Sequence, residues 1–205
     1  MFKYDKKIDN WSQKIIKDTK DVWGNKIPKG QDGLKHRTLP FLIDYLNSYL
    51  EKYGKTIINR FNKLTGLSYS VSNFGYYINS TSVSLHNATK LYISLSQEHA
   101  FNRYPAIIIH EISHIYFYKY VESIRFLKFN NISKTSDLLS EKEKNELKEI
   151  ITVIINTEFV DIIDKIDEGY PHHKNIREKV LKLWVKEKPN FDKWIAKVME
   201  EYKRG

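Results

Sequence analysis

The chain is expected to fold as one α+β domain, and three features predict this. Apolar residues recur at three- and four-residue steps over residues 38–64, then alternate with polar ones in short runs over 67–96. From residue 105 onward the spacing is helical again. The 205 residues suit a single domain. The expected plan is an upper part over 37–127, a mostly helical lower part over 128–205, and a peripheral segment over 1–36.

Taken in order, Trp11, Ile15 and Ile16 fit a short amphipathic helix. Gly24, Pro28, Gly30 and Gly33 then break regular structure. Over 38–64, Pro40 suits an early helical position. Leu42, Leu46, Leu50, Ile57, Ile58 and Phe61 form an apolar stripe, and Gly66 is a stop. The runs Ser68-Tyr69-Ser70-Val71-Ser72, Ser82-Val83-Ser84-Leu85 and Leu91-Tyr92-Ile93-Ser94-Leu95 alternate, which predicts three or four short antiparallel strands. A helix over 105–127 follows, opened by Pro105, and Asn130, Asn131 and Ser133 mark a loop. Ser140 with Glu143 reads as a capping box that opens a long helix to about residue 166. Gly169, Tyr170 and Pro171 end it. Two amphipathic helices, 173–187 and 190–203, are separated by Pro189.

The absence of cysteine excludes disulfides and thiolate metal sites. Residues 1–10 carry Lys and Asp with no apolar run, unlike a signal peptide. No segment has the length of a membrane-spanning helix. A cytoplasmic protein without membrane contact is expected. The net charge of +9 is compatible with a nucleic-acid surface, but Glu and Lys interleave over 141–144 and near the C-terminus. Solvated helix faces account for most of that charge, so nucleic acid is the less favoured partner.

The chemistry concentrates in His110-Glu111-Ile112-Ser113-His114. On a helix, two imidazoles four residues apart share one face and can hold one zinc ion. Glu111 then projects beside the position left for water, where it can take a proton and later return it to a leaving amine. The flanks, Ile107 to Ile109 and Ile115 to Tyr118, are apolar. Three ionisable side chains on such a helix are costly to bury unless a metal or a partner meets them.

Together, the backing helix, small sheet, His-Glu-x-x-His helix and helical lower part resemble the zincin metallopeptidases. The likeness covers roughly 38–175, and the five-residue motif is its specific part. It implies a zincin-like fold with a small twisted sheet. It also implies a cleft between the two parts, zinc as cofactor and a peptide or protein as substrate. The sheet's last strand, over 91–95, would line the cleft and pair with an extended peptide.

In metzincins, a Gly three residues after the second His and a His three further on complete the site. Phe117 and Tyr120 stand there in this chain. The gluzincin arrangement, a Glu from a later helix, is therefore favoured. Two residues qualify. Glu149 shares a helical stripe with Thr152 and Asn156, which can orient a carboxylate. Glu158 lies on the opposite side, with Asp161 and Lys165, although Asn156-Thr157-Glu158 resembles the Asn-Glu pair of many gluzincins with an added Thr. Glu149 is preferred as third ligand to His110 and His114.

Gluzincins also supply a Tyr or His donor downstream of the third ligand. Tyr170, His172 and His173 are candidates here. His173 is preferred because a new helix opens at it, and Arg177 is available to bind a substrate carboxylate. His36, His86 and His99 belong to no pattern. The expected function is a zinc-dependent metallopeptidase with Glu111 and His173 as catalytic residues. The alternatives are a protease that cuts one bound partner and a zincin-fold protein that binds nucleic acid.

Overall fold

A helix that is apolar on every side has to be buried, and this one organises the domain. The structure is a computed structural model that describes residues 1–18, 35–188 and 190–204. The loop expected around Gly24, Pro28, Gly30 and Gly33 lies outside the described residues, as do Pro189 and the side chains of Ile16 and His36. Helix α3 (Tyr104–Val121) carries Pro105 in its first turn, where the missing N–H costs nothing. Ile108, Ile109, Ile112, Ile115 and Tyr116 enter one core, while Phe117, Tyr120 and Val121 enter another. The first core is completed by α2 (Lys35–Thr65) and the sheet. The second is completed by α5 (Glu141–Ile151), α7 (Lys174–Glu187) and α8 (Phe191–Arg204).

The sheet has four strands in the order β1 (Lys3–Tyr4), β2 (Gly75–Asn79), β4 (Tyr92–Ser96), β3 (Leu85–Asn87). It is not antiparallel throughout. β1, β2 and β4 run parallel, and only β3 is antiparallel, set as a hairpin on β4 with His86 opposite Ile93. Parallel neighbours need a crossover, and between β1 and β2 it is made by α1 (Lys6–Asp18) and α2. β4 is therefore central, and all five of its residues are buried. The strand expected to line the cleft cannot do so, and that edge falls to β3.

The alternation in Tyr92-Ile93-Ser94-Leu95-Ser96 also does not mark a solvated face. Ser94 and Ser96 are buried and hydrogen-bonded: Asn79 Nδ2 donates to the Ser94 carbonyl at 2.9 Å, and Ser12 of α1 lies 3.5 Å away, Oγ to Oγ. Trp11 packs edge-on against Tyr92. Residues 2–12 thus pack into the core and are not peripheral. Phe2 is buried, and the buried Asp9 carboxylate accepts from the Ser80 N–H at 2.7 Å and from Ser80 Oγ at 3.0 Å.

Three further boundaries differ from expectation. Residues 68–72 form no strand. Asn62 holds Tyr69 through both its backbone N–H and carbonyl, and a 3-10 turn follows at Val71–Asn73. α2 begins at Lys35, so Pro40 lies inside it. α3 stops at Val121, and a short α4 (Ile124–Phe129) follows, capped by Ser123.

The largest change concerns the helix expected to reach 166. α5 is opened by the Ser140–Glu143 capping box but ends at Ile151. It passes through a 3-10 turn at Thr152–Ile154 into one turn of α6 (Ile155–Glu158). Arg177 Nη1 donates to the Glu149 carbonyl at 2.8 Å, and Thr152 Oγ1 lies 2.8 Å from the same oxygen. Side chains thus take a carbonyl that a continuing helix would use. The irregular connection beyond α6 returns Asp167 to Asn156, with Asp167 N–H on Asn156 Oδ1 at 2.7 Å.

Because Phe2 is a core residue, Phe2→Ala is expected to lower the unfolding free energy by about 3 kcal/mol. Urea denaturation checks this, and a loss under about 1 kcal/mol would return the segment to the periphery.

Candidate metal centre

One turn of α3 separates His110 from His114, and Glu149 of α5 faces both. Glu149 Oε2 is 3.3 Å from His110 Nε2, and Glu149 Oε1 is 3.3 Å from His114 Nε2. These separations exceed the 2.7–2.9 Å or so of a charge-assisted hydrogen bond. They match ligands of one ion: two atoms each about 2.0–2.1 Å from a tetrahedral zinc stand roughly 3.4 Å apart. Lys148 Nζ donates to Glu149 Oε1 at 2.7 Å, whereas Oε2 is buried without a hydrogen-bond partner among the described residues. Two imidazoles and one carboxylate, one of whose oxygens is buried and unsatisfied, fit a zinc ion.

The other candidate ligand is elsewhere. Glu158 ends α6 and accepts from Trp184 Nε1 at 2.8 Å and from Lys188 Nζ at 2.8 Å.

Thr152 and Asn156 do not orient Glu149. They hold Asp167, which in turn holds His110. Asp167 Oδ1 lies 3.0 Å from His110 Nδ1. Asp167 Oδ2 accepts from Thr152 Oγ1 and from Arg177 Nη2, each at 2.7 Å. Asn156 Nδ2 donates to the Asp167 carbonyl at 2.9 Å. Arg177 is buried, with its guanidinium on Asp167, Thr152 and the Glu149 carbonyl, so it is not available to a substrate carboxylate. Gly169 stands at φ +64°, and a Cβ there would meet the Arg177 guanidinium at 2.6 Å. Glycine answers both constraints.

Glu111 is buried, and its Oε2 lies 2.9 Å from Nδ1 of His86, the central residue of β3. The His86 ring also sits 4.6 Å from that of His114. His86 is thus part of the site rather than incidental, although nothing local in the sequence marks it. His99 lines the cleft as well, with Nε2 3.1 Å from Ser84 Oγ.

Burial opposes every charge here, and the partners decide which survive. Burial pulls the His110 imidazolium down, but Asp167 and Glu149 outweigh it and hold that group up to about 10. At His114 burial prevails over Glu149 and, with Lys148 and His110, draws the ring down to about 3. Burial would raise Glu111, yet His86 foremost holds its carboxyl down to about 2, so it is ionised. Glu149 and Asp167 are also held well below the usual carboxylate range against burial, by His114 and His110 first of all.

A cleft of about 290 Å³ opens onto His110 and Glu111, between residues 82–84 on one side and 165–170 on the other. Tyr170 is one of its walls. Burial, and the nearby carboxylates Glu149, Glu111 and Asp167, push its phenol well above the usual range, so the hydroxyl keeps its proton. The structure does not bring His173 into this cleft. His173 is buried against Glu146, Nε2 to Oε2 at 2.7 Å. It is the last residue of the 3-10 turn Pro171–His173, and its ring meets Glu146 of α5.

Comparison with family models, curated proteins and solved structures finds no match.

Arg177→Ala would strip the buried Asp167 carboxylate of its cationic partner. Removing one member of a buried pair costs about 3 kcal/mol or more. Denaturation of the chelator-treated variant should show a loss of about that size, whereas a loss below about 1 kcal/mol would mean Asp167 is held without it.

Proposed function

We propose that this chain is a zinc-dependent metallopeptidase of zincin type, with His110, His114 and Glu149 as ligands and Glu111 as general base. One observation carries the reading. A motif whose spacing suits zinc meets a third carboxylate at ligand-to-ligand distance, beside a separately held, ionised Glu111. Among the described residues no helix is long and apolar enough to cross a membrane.

Bound there, zinc supplies a Lewis acid that acidifies a water molecule and polarises a peptide carbonyl. The remaining work falls to the chain. In its neutral, ligating form His110 donates from Nδ1 to Asp167, which fixes the tautomer and leaves Nε2 facing Glu149. Glu111 takes the water proton on a carboxylate oxygen and passes it to the leaving amine. His86 holds Glu111 Oε2 and thereby aims the other oxygen. Tyr170 offers its hydroxyl to the developing oxyanion, in place of the expected His173. An extended substrate would add to the outer edge of β3, which carries no further strand among the described residues.

The test is a peptide-library digest by purified protein, with Glu111→Gln beside it. The variant should keep its zinc and lose turnover by more than about 10²-fold, since an amide cannot take the proton. Normal cutting by Glu111→Gln would end this mechanism. Tyr170→Phe should keep zinc and lower kcat by about 10²-fold with little change in KM. An unchanged kcat would remove Tyr170 from the oxyanion side.

A further inference from the structure

A second group of metal-ligating side chains lies outside the cleft. Glu146, His172 and His173 each offer one ligand atom, and those atoms lie within 4.8 Å of one another. The two imidazoles stand 4.0 Å apart, centroid to centroid, at 57°. His173 is only 6% exposed, and its Nδ1 is buried with no partner among the described residues. Nε2 of the same ring sits 2.7 Å from Glu146 Oε2. His172, by contrast, is exposed, so an ion can reach the group from solvent.

The backbone explains why these three meet. The turn Pro171–His173 closes with His173 N–H on the Tyr170 carbonyl at 2.9 Å. It presents two consecutive histidines to α5, where Glu146 lies one helical turn before Glu149. A lone ion pair between His173 and Glu146 would explain one contact. It would not explain the second imidazole packed against the first.

We propose that Glu146, His172 and His173 form a second divalent-cation site, separate from the centre of His110, His114 and Glu149. Two imidazoles and a carboxylate select zinc or a similar transition metal over magnesium or calcium. With one ligand exposed to solvent, this site is the weaker of the two and fills after the first. An ion there ties the 170–173 turn to α5. Asp167 and Tyr170 stand on the same connection, so the ion also braces one wall of the cleft. None of this depends on peptide hydrolysis.

The experiment is a calorimetric titration of chelator-stripped protein with zinc chloride alone. The unaltered chain should take up about two equivalents, in a tighter and a weaker step. His172→Ala should lose the weaker step, or weaken it at least roughly tenfold, and keep the tighter one. His110→Ala should do the reverse. His173 is buried and its replacement risks the fold, so Glu146→Gln serves as the second variant and should behave as His172→Ala does. A weaker step that persists unchanged in both His172→Ala and Glu146→Gln would overturn the proposal. So would a titration of the unaltered chain that ends at one equivalent, lost in His110→Ala and kept in His172→Ala.

Discussion

The structure turns on one constraint. α3 is buried from end to end, yet three ionisable side chains project from its middle. A buried charge is tolerated only when it is paired and hydrogen-bonded. Three parts of the chain around α3 accordingly send one group each to meet them. β3 sends His86 to Glu111, α5 sends Glu149 to His110 and His114, and the connection after α6 sends Asp167 to His110. The two hydrophobic cores lie on either side of this polar centre and hold the partners in place.

The same constraint explains the irregular parts of the lower half. α5 would run further if only its capping box and apolar spacing decided. It ends where Thr152, Asn156 and Arg177 gather around Asp167. Regular hydrogen bonding is given up over Thr152–Ile154, and a rigid support for His110 is gained. Metal-ligating histidines generally need such a partner on the second ring nitrogen, and its removal commonly weakens metal binding or activity about 10- to 100-fold. Gly169 belongs to the same support, since its positive φ and missing Cβ leave room for the Arg177 guanidinium.

Much of this was legible in the residues, and the exceptions have physical causes. The motif spacing and the stripe of Glu149, Thr152 and Asn156 pointed to one polar centre, because polar groups on an apolar helix require partners. Which partner each would choose was not legible. Thr152 and Asn156 serve Asp167, which lies beyond a chain reversal that no local pattern announces. His86 belongs to a three-residue strand, too short for periodicity to single it out. The parallel pairing and the interior place of β4 are not legible, because its serines alternate like a solvated face, whereas α1 covers them and Asn79 and Ser12 satisfy them. His173 was placed at the oxyanion because it precedes a helix. The Pro171–His173 turn instead leaves Tyr170 lining the cleft and sets His173 against Glu146.

The central claim is that His110, His114 and Glu149 hold one ion between them. The most direct measurement is zinc K-edge X-ray absorption on protein loaded with a single equivalent. The account predicts two imidazoles and at least one carboxylate oxygen at about 2.0–2.2 Å, with imidazole scattering reduced in His110→Ala. A spectrum lacking imidazole ligands, or one unaltered by His110→Ala, would contradict it.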